Sequence, residues 1–177
     1  MIDALLPQAY LIGLVVILSV AAVAVARQVW RVRRDEVTLA RLEQQGAGSQ
    51  RAAAELYELG SAQLRKRLYG QAADNLKQAL KRAQAEGEPG EALAVIENAL
   101  GFALAAQNNF KAAITHYRRA LQAKADYPVA LNNLAFALEK QFKLDEAREA
   151  YEQALALDPE NKTARKRLTI LERKTAA

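Results

Sequence analysis

Three stretches of 34 residues follow one another in register along the chain, and a repeat of that length constrains the fold more than any other feature. AAELYELGSAQLRKRLYGQAADNLKQALKRAQAE begins at Ala53, AVIENALGFALAAQNNFKAAITHYRRALQAKADY at Ala94, and PVALNNLAFALEKQFKLDEAREAYEQALALDPEN at Pro128. Small residues recur at fixed places: Gly60, Gly101 and Ala135 in the first half, then Ala72, Ala113 and Ala147, then Ala79, Ala120 and Ala154. Leu76, Tyr117 and Tyr151 stand four residues after the first alanine of each second half. This alternation of small and bulky residues suits two antiparallel helices that approach closely. Tyr69, Phe110 and Leu144 then fill the gaps between successive pairs. One such unit cannot bury its own apolar face, so the three must stack around a shared core.

The pattern resembles the tetratricopeptide repeat (TPR), whose signature is an aromatic-x2-Leu-Gly-x2-Tyr stretch, then Ala-x3-aromatic, Ala and Pro. Leu59-Gly60, Leu100-Gly101 and Leu134-Ala135 fill the Leu-Gly pair, and Pro159 ends the third repeat. Leu56, Glu97 and Leu131 depart from the tryptophan usual at position 4, and Gln63 stands where the other repeats have Leu104 and Leu138. Seven residues around GEPGE separate repeats one and two. They are worth about two helical turns, so the flanking helices can lengthen without losing phase, with Gly87 to Gly90 as the turn. From Lys162, KTARKRLTILERK reads as a capping helix whose polar outer face closes the solenoid. With eight glycines and four prolines in an alanine-rich chain of 177 residues, the expected fold class is all-α. One N-terminal transmembrane helix would precede a TPR solenoid of three repeats plus a C-terminal cap.

The transmembrane expectation rests on the stretch VVILSVAAVAVARQVWRVRR, residues 15–34. No charge interrupts Ala4 to Ala26, and a helix over Tyr10 to Val29 is about 30 Å long, enough to cross a hydrocarbon core. Arg27 lies in its last turn, where a long stem carries the guanidinium to the headgroups, and Trp30 falls at the interface. Ala24 to Ala26 also match a small-residue cleavage pattern, but a secretory signal needs positive charge before the apolar run. The leader MIDALLPQAY carries only Asp3, whereas Arg27, Arg31, Arg33, Arg34 and Arg41 follow the run. That asymmetry favours a retained span with the C-terminal side in the cytoplasm. The arginines serve as a topology signal and are also suited to anionic headgroups. The helix can continue to residue 45 before GAGS at 46–49 breaks it. The expected organisation is an anchor at 1–30, a basic juxtamembrane helix and linker at 31–50, and a TPR domain at 51–177. The last comprises repeats 53–86, 94–127 and 128–161 and a cap at 162–174.

Little in the chain invites catalysis. It has no cysteine and one histidine, His116, so thiol chemistry and thiolate metal sites are excluded. His116 lacks a nucleophile or ligand partner at a useful spacing, and a solvent-facing place is expected for it. No catalytic residue, metal ligand, cofactor or small-molecule substrate is expected, and the chain reads as a non-enzyme. The net charge of +5 collects after the apolar run and in the C-terminal tail, without the aromatic interleaving of a nucleic-acid surface.

Function then falls to the groove lined by the first helices of the repeats, at positions 2, 5, 9 and 12. The candidate peptide groove is Tyr57 and Ser61, then Val95, Asn98 and Phe102, then Val129, Asn132 and Phe136. Asn and Phe recur at matching positions in repeats two and three, where amides can bond a peptide backbone and rings can grip apolar side chains. The other reading is that Phe102 and Phe136 pack against neighbouring helices. TPR domains that clamp the carboxylate tails of chaperones use Lys, Asn and Arg at places held here by Tyr57, Ser61, Ala99, Val129 and Asn133. That subtype is disfavoured.

The span, its arginine-rich exit and the repeats with their GEPGE insertion are together similar to one family. It comprises the thylakoid-membrane TPR proteins of cyanobacteria and red-algal plastids associated with photosystem I assembly and stability. LPQAYLIGLVVILSVAAVAVARQVWRVRR, NALGFALAAQNNFKAAITHYRRAL and DYPVALNNLAFALEK carry the resemblance, which covers nearly the whole chain. It implies a single-pass thylakoid protein with its TPR domain on the cytoplasmic or stromal side. Its partners would be photosystem I subunits or other assembly factors. The residues alone leave open a general membrane-anchored adaptor, for example in protein translocation, and a permanent structural subunit.

Overall fold

The computed structural model describes residues 5–45 and 52–175, and every regular element among them is an α-helix. The chain divides into two compact units at Gln44/Gln45. The first contains one helix, α1 (Leu5–Gln45), which includes Pro7 in its first turn, where the missing N–H costs no hydrogen bond. Its segment Leu11–Arg31 is long and apolar enough to cross a membrane, and none of it is buried against protein. Trp30 is exposed, with the Arg34 guanidinium 5.6 Å from its ring centroid, and Arg27, Arg31 and Arg33 are exposed along the same helix. The GAGS stretch expected to break the helix lies outside the described residues, as does Asp3 of the leader.

The second unit is a series of hairpins: α2 (Ala53–Arg65) with α3 (Tyr69–Glu86), α4 (Gly90–Ala106) with α5 (Phe110–Ala123), and α6 (Pro128–Lys140) with α7 (Leu144–Leu157). The cap α8 (Lys162–Thr175) packs on α7. Each helix packs on the one before and the one after it, and the first helices of the repeats also meet, α2 with α4 and α4 with α6. The all-helical TPR architecture is as expected. The recurring spacing of small residues has a direct steric cause. A Cβ on Gly60 would lie 2.7 Å from Leu76 Cγ, and one on Gly101 would lie 2.7 Å from Tyr117 Cε1. Ala72, Ala79, Ala113, Ala120, Ala147 and Ala154 are fully buried where the second helices cross the core.

All three turns inside the hairpins have one geometry. Arg67, Asn108 and Phe142 adopt left-handed φ of 61°, 62° and 57°, although none is glycine. The following N–H closes back onto the preceding helix: Leu68 to Gln63 O at 2.9 Å, Asn109 to Leu104 O at 2.9 Å, Lys143 to Leu138 O at 3.0 Å. These are the six-to-one bonds that satisfy carbonyls at a helix C-terminus.

The extra residues between repeats one and two lengthen both helices, as their number suggests. α3 has 18 residues against 14 in α5 and α7, and α4 has 17 against 13 in α2 and α6. Gly87 caps α3 at φ 70°. Gly90 begins α4, four residues ahead of Ala94, in a place where a Cβ would sit 3.0 Å from Ala123 O.

Two polar residues in the core break the apolar pattern and find partners. Gln63 is buried and accepts from Asn75 Nδ2 at 2.8 Å. Glu97, in the place usual for tryptophan, is 4% exposed, and His116 Nδ1 lies 2.6 Å from its Oε2. The expectation of a solvent-facing His116 is therefore wrong: the ring turns inward from α5 because a buried carboxylate on α4 needs a hydrogen-bond partner.

Candidate peptide-binding groove

The first helices α2, α4 and α6 bring the candidate residues onto one succession of helices, but they differ in what they expose. Val129 is 54% exposed and Phe102 is 44% exposed, while Tyr57, Ser61, Val95, Asn98, Asn132 and Phe136 are half-buried. The even side-chain spacing along each helix follows from the 3.6-residue period, so residues 95, 98 and 102 share one face of α4.

The two asparagines at matching positions are not equivalent. Asn98 donates from Nδ2 to Tyr127 Oη at 3.3 Å and accepts from Asn133 Nδ2 at 3.0 Å, so its amide already bridges repeats two and three. Asn132 has a buried Oδ1 with no hydrogen-bond partner among the described residues. Tyr127 belongs to this network although the groove positions read from the sequence omit it. Burial raises its phenol pKa, the neighbouring Tyr57 adds to the rise, and the Asn98 hydrogen bond opposes it, so the hydroxyl is neutral. Asn133 stands at a place where a carboxylate-clamping TPR would carry a clamp residue. The doublet Asn132-Asn133 was the available signal that one amide would turn toward the preceding repeat.

The two phenylalanines differ in the same way. Phe136 meets the edge of Phe110 at 6.3 Å between centroids and 73° between planes. Lys140 Nζ and Arg167 Cζ lie 5.4 and 5.2 Å from its centroid, and Arg167 also pairs with Glu139 at 3.5 Å. So Phe136 is already engaged by α5, its own helix and the cap. Phe102 stands open in the middle repeat. None of Tyr57, Ser61, Ala99, Val129 and Asn133 is cationic, and the groove offers no clamp for a carboxylate pair. Among the described residues no group of three His, Asp or Glu is placed to hold a metal ion. The arrangement is chemically that of a mixed apolar and amide surface.

Comparison with known proteins agrees with the helix pairs. The tetratricopeptide repeat model matches residues 128–161 and a second TPR repeat model matches residues 101–141. The ycf37 protein of Guillardia theta is 32% identical over 94% of this chain and 93% of its own length. A protein of Arabidopsis thaliana described as tetratricopeptide repeat domain-containing protein PYG7, chloroplastic, is 33% identical over 92% of this chain, which spans 53% of it. Among solved structures, the first TPR of Spaghetti (RPAP3) bound to the HSP90 peptide SRMEEVD superposes with a TM-score of 0.65. It is 23% identical and aligns over 71% of this chain and 94% of its own, a likeness of fold.

Proposed function

Because this chain belongs to the tetratricopeptide-repeat family that includes the ycf37 protein of Guillardia theta, we propose that it is a membrane-tethered scaffold for photosystem I assembly or stability. α1 is the tether, and the arginines that follow its apolar run hold the TPR domain on the cytoplasmic or stromal side of a thylakoid membrane. Tethering confines the groove to the membrane where unassembled subunits reside, so weak contacts suffice through raised effective concentration. The TPR domain of this scaffold binds protein segments, photosystem I subunits or fellow assembly factors, through the groove of α2, α4 and α6. The observation that carries this reading is the exposed Phe102, backed by Val95 and Val129 in a groove with no cationic clamp. Such a surface favours an apolar or amphipathic segment over an acidic tail.

The test is affinity purification of the full-length protein from native membranes, with partners identified by mass spectrometry. Phe102→Ala, alone and with Phe136→Ala, should reduce recovery of photosystem I subunits about tenfold, as expected for loss of an aromatic anchor. The single variant is the cleaner one, since Phe136 also supports Arg167 and the cap. Full retention of partners by folded variants would sink the groove reading. Recovery of translocase components in place of photosystem subunits would mean an adaptor in protein translocation. Stoichiometric recovery with mature complexes would mean a permanent subunit.

A further inference from the structure

We propose that the edge of the solenoid formed by the turns inside the three hairpins rests on an anionic lipid surface, with Phe142 entering the headgroup layer. The inference rests on the reading of α1 as a membrane anchor, which brings a bilayer within reach of the domain.

Three observations converge on this edge. First, the turns at 65–68, 107–111 and 140–143 lie side by side. Gln107 Nε2 donates to Tyr69 O at 3.2 Å, joining turn two to the first hairpin, and the Phe110–Phe136 contact joins it to the third. Second, these segments hold six cations, Arg65, Lys66, Arg67, Lys111, Lys140 and Lys143, against two acids just beyond the third, Asp145 and Glu146, of which Glu146 pairs with Lys143 at 2.8 Å. The opposite edge, at 86–91, 124–127 and 158–161, holds Glu86, Glu88, Glu91, Asp126, Asp158 and Glu160 against a single Lys124. Charge is thus segregated between the two ends of the hairpins, and the basic end is the one that an anionic surface attracts. Third, Phe142 is 87% exposed at φ 57°, in a backbone conformation where the equivalent residue of repeat two is Asn108. A bulky side chain is disfavoured there and is also left in water, so neither local conformation nor packing within the chain accounts for the ring. Leu68, on the corresponding turn of repeat one, is 39% exposed.

Lipid fits these features better than a protein partner. Phe142 and Leu68 belong to the third and first repeats, and single apolar side chains set among cations do not make the contiguous patch that a protein interface buries. A bilayer interface needs no such patch. It accepts isolated aromatic rings at headgroup level and gains from each nearby Lys or Arg.

The chain has no cysteine, so single-cysteine variants of the full-length protein can be labelled uniquely. Phe142→Cys and, on the acidic edge, Glu160→Cys would each carry an environment-sensitive fluorophore. The labelled protein would be placed in vesicles of phosphatidylcholine, with or without phosphatidylglycerol, containing a lipid spin-labelled near the headgroup. In anionic vesicles quenching at position 142 should exceed that at 160 about twofold or more, and the excess should fall in neutral vesicles and in 1 M salt, where the Debye length is about 3 Å. Arg67→Glu with Lys111→Glu should remove it without loss of helical circular dichroism. Equal quenching at both positions overturns the proposal, and so does quenching at 142 that grows with protein density and ignores the spin-labelled lipid, which would indicate a second copy. Flotation separates this inference from the anchor reading. Salt-resistant flotation with equal quenching leaves the anchor and removes the docking edge. Flotation only with anionic lipid at low salt, with position 142 quenched, keeps the edge and removes the anchor. No flotation under any condition overturns both.

Discussion

Glu97 and Phe142 each occupy a place where the repeat pattern calls for something else, and their surroundings give opposite predictions. Glu97 is tolerated in the core because His116 lies 2.6 Å away. Removing one partner leaves a buried polar group unpaired, so Glu97→Ala should cost about 2 kcal/mol in urea unfolding. Replacing both, Glu97→Leu with His116→Leu, should cost far less than the sum of the single changes and could equal the parent, since packed apolar pairs commonly match buried ionic ones. A double-mutant cycle that proved additive would show that the pair is not coupled. Phe142 offers the reverse case: its left-handed backbone has a conformational cost and no packing return. Phe142→Gly should raise the unfolding free energy by about 1 kcal/mol, with an unchanged urea slope. A loss of stability would mean that the ring has a native contact.

At the level of the hairpin, closeness of approach is set by one residue on each side. In repeat two Gly101 faces the ring of Tyr117, which is 1% exposed and hemmed in on all sides. A methyl group there forces the ring or the helix to move, so Gly101→Ala should lose about 2 kcal/mol, an overpacking cost. Gly70, in the first turn of α3, has nothing within 4 Å of an added Cβ. Gly70→Ala should therefore gain up to about 1 kcal/mol from helix propensity. Thermal unfolding of the two variants side by side checks the ordering. A destabilisation equal in both would mean that backbone freedom, and not the ring, sets the requirement at 101. Repeat three carries Ala135 and Tyr151 at the matching positions, both buried, so an alanine is accommodated at that position there.

Across the whole solenoid the buried tyrosines make stability depend on alkaline pH. Tyr117 and Tyr151 stand at the same position of successive repeats, and burial pushes both phenols well above their ordinary pKa of 10.0, with the Glu139 charge adding to the rise at Tyr151. A phenol raised in the folded state contributes stability fully below the unfolded value. That stability is lost as pH climbs from about 10 toward the folded value, because the unfolded chain gives up protons first. The urea midpoint should therefore be flat through neutral pH and fall above 10, and Tyr117→Phe should make the fall shallower. Repeats hold one another in place, so unfolding should stay a single transition even though the groups lie in two repeats. A midpoint indifferent to pH beyond 10 would contradict the burial.

The 34-residue period, the close-approach positions, the lengthening around GEPGE and the apolar run of α1 were all legible in the chain, because each is a local pattern repeated along one helix or between adjacent helices. The fates of side chains at matching repeat positions were not. Asn98 and Asn132 share a position, as do Phe102 and Phe136, yet one amide bridges to Asn133 and Tyr127, and one ring is enclosed by Phe110, Lys140 and Arg167. His116 turned inward for the same kind of reason, with its partner on the neighbouring helix. The sequence determined the scaffold, since a period fixes which faces meet. Only the tertiary structure decided which groove residues remain open, because those neighbours come from an adjacent repeat whose residues at the contact differ, and a period carries no information about that difference.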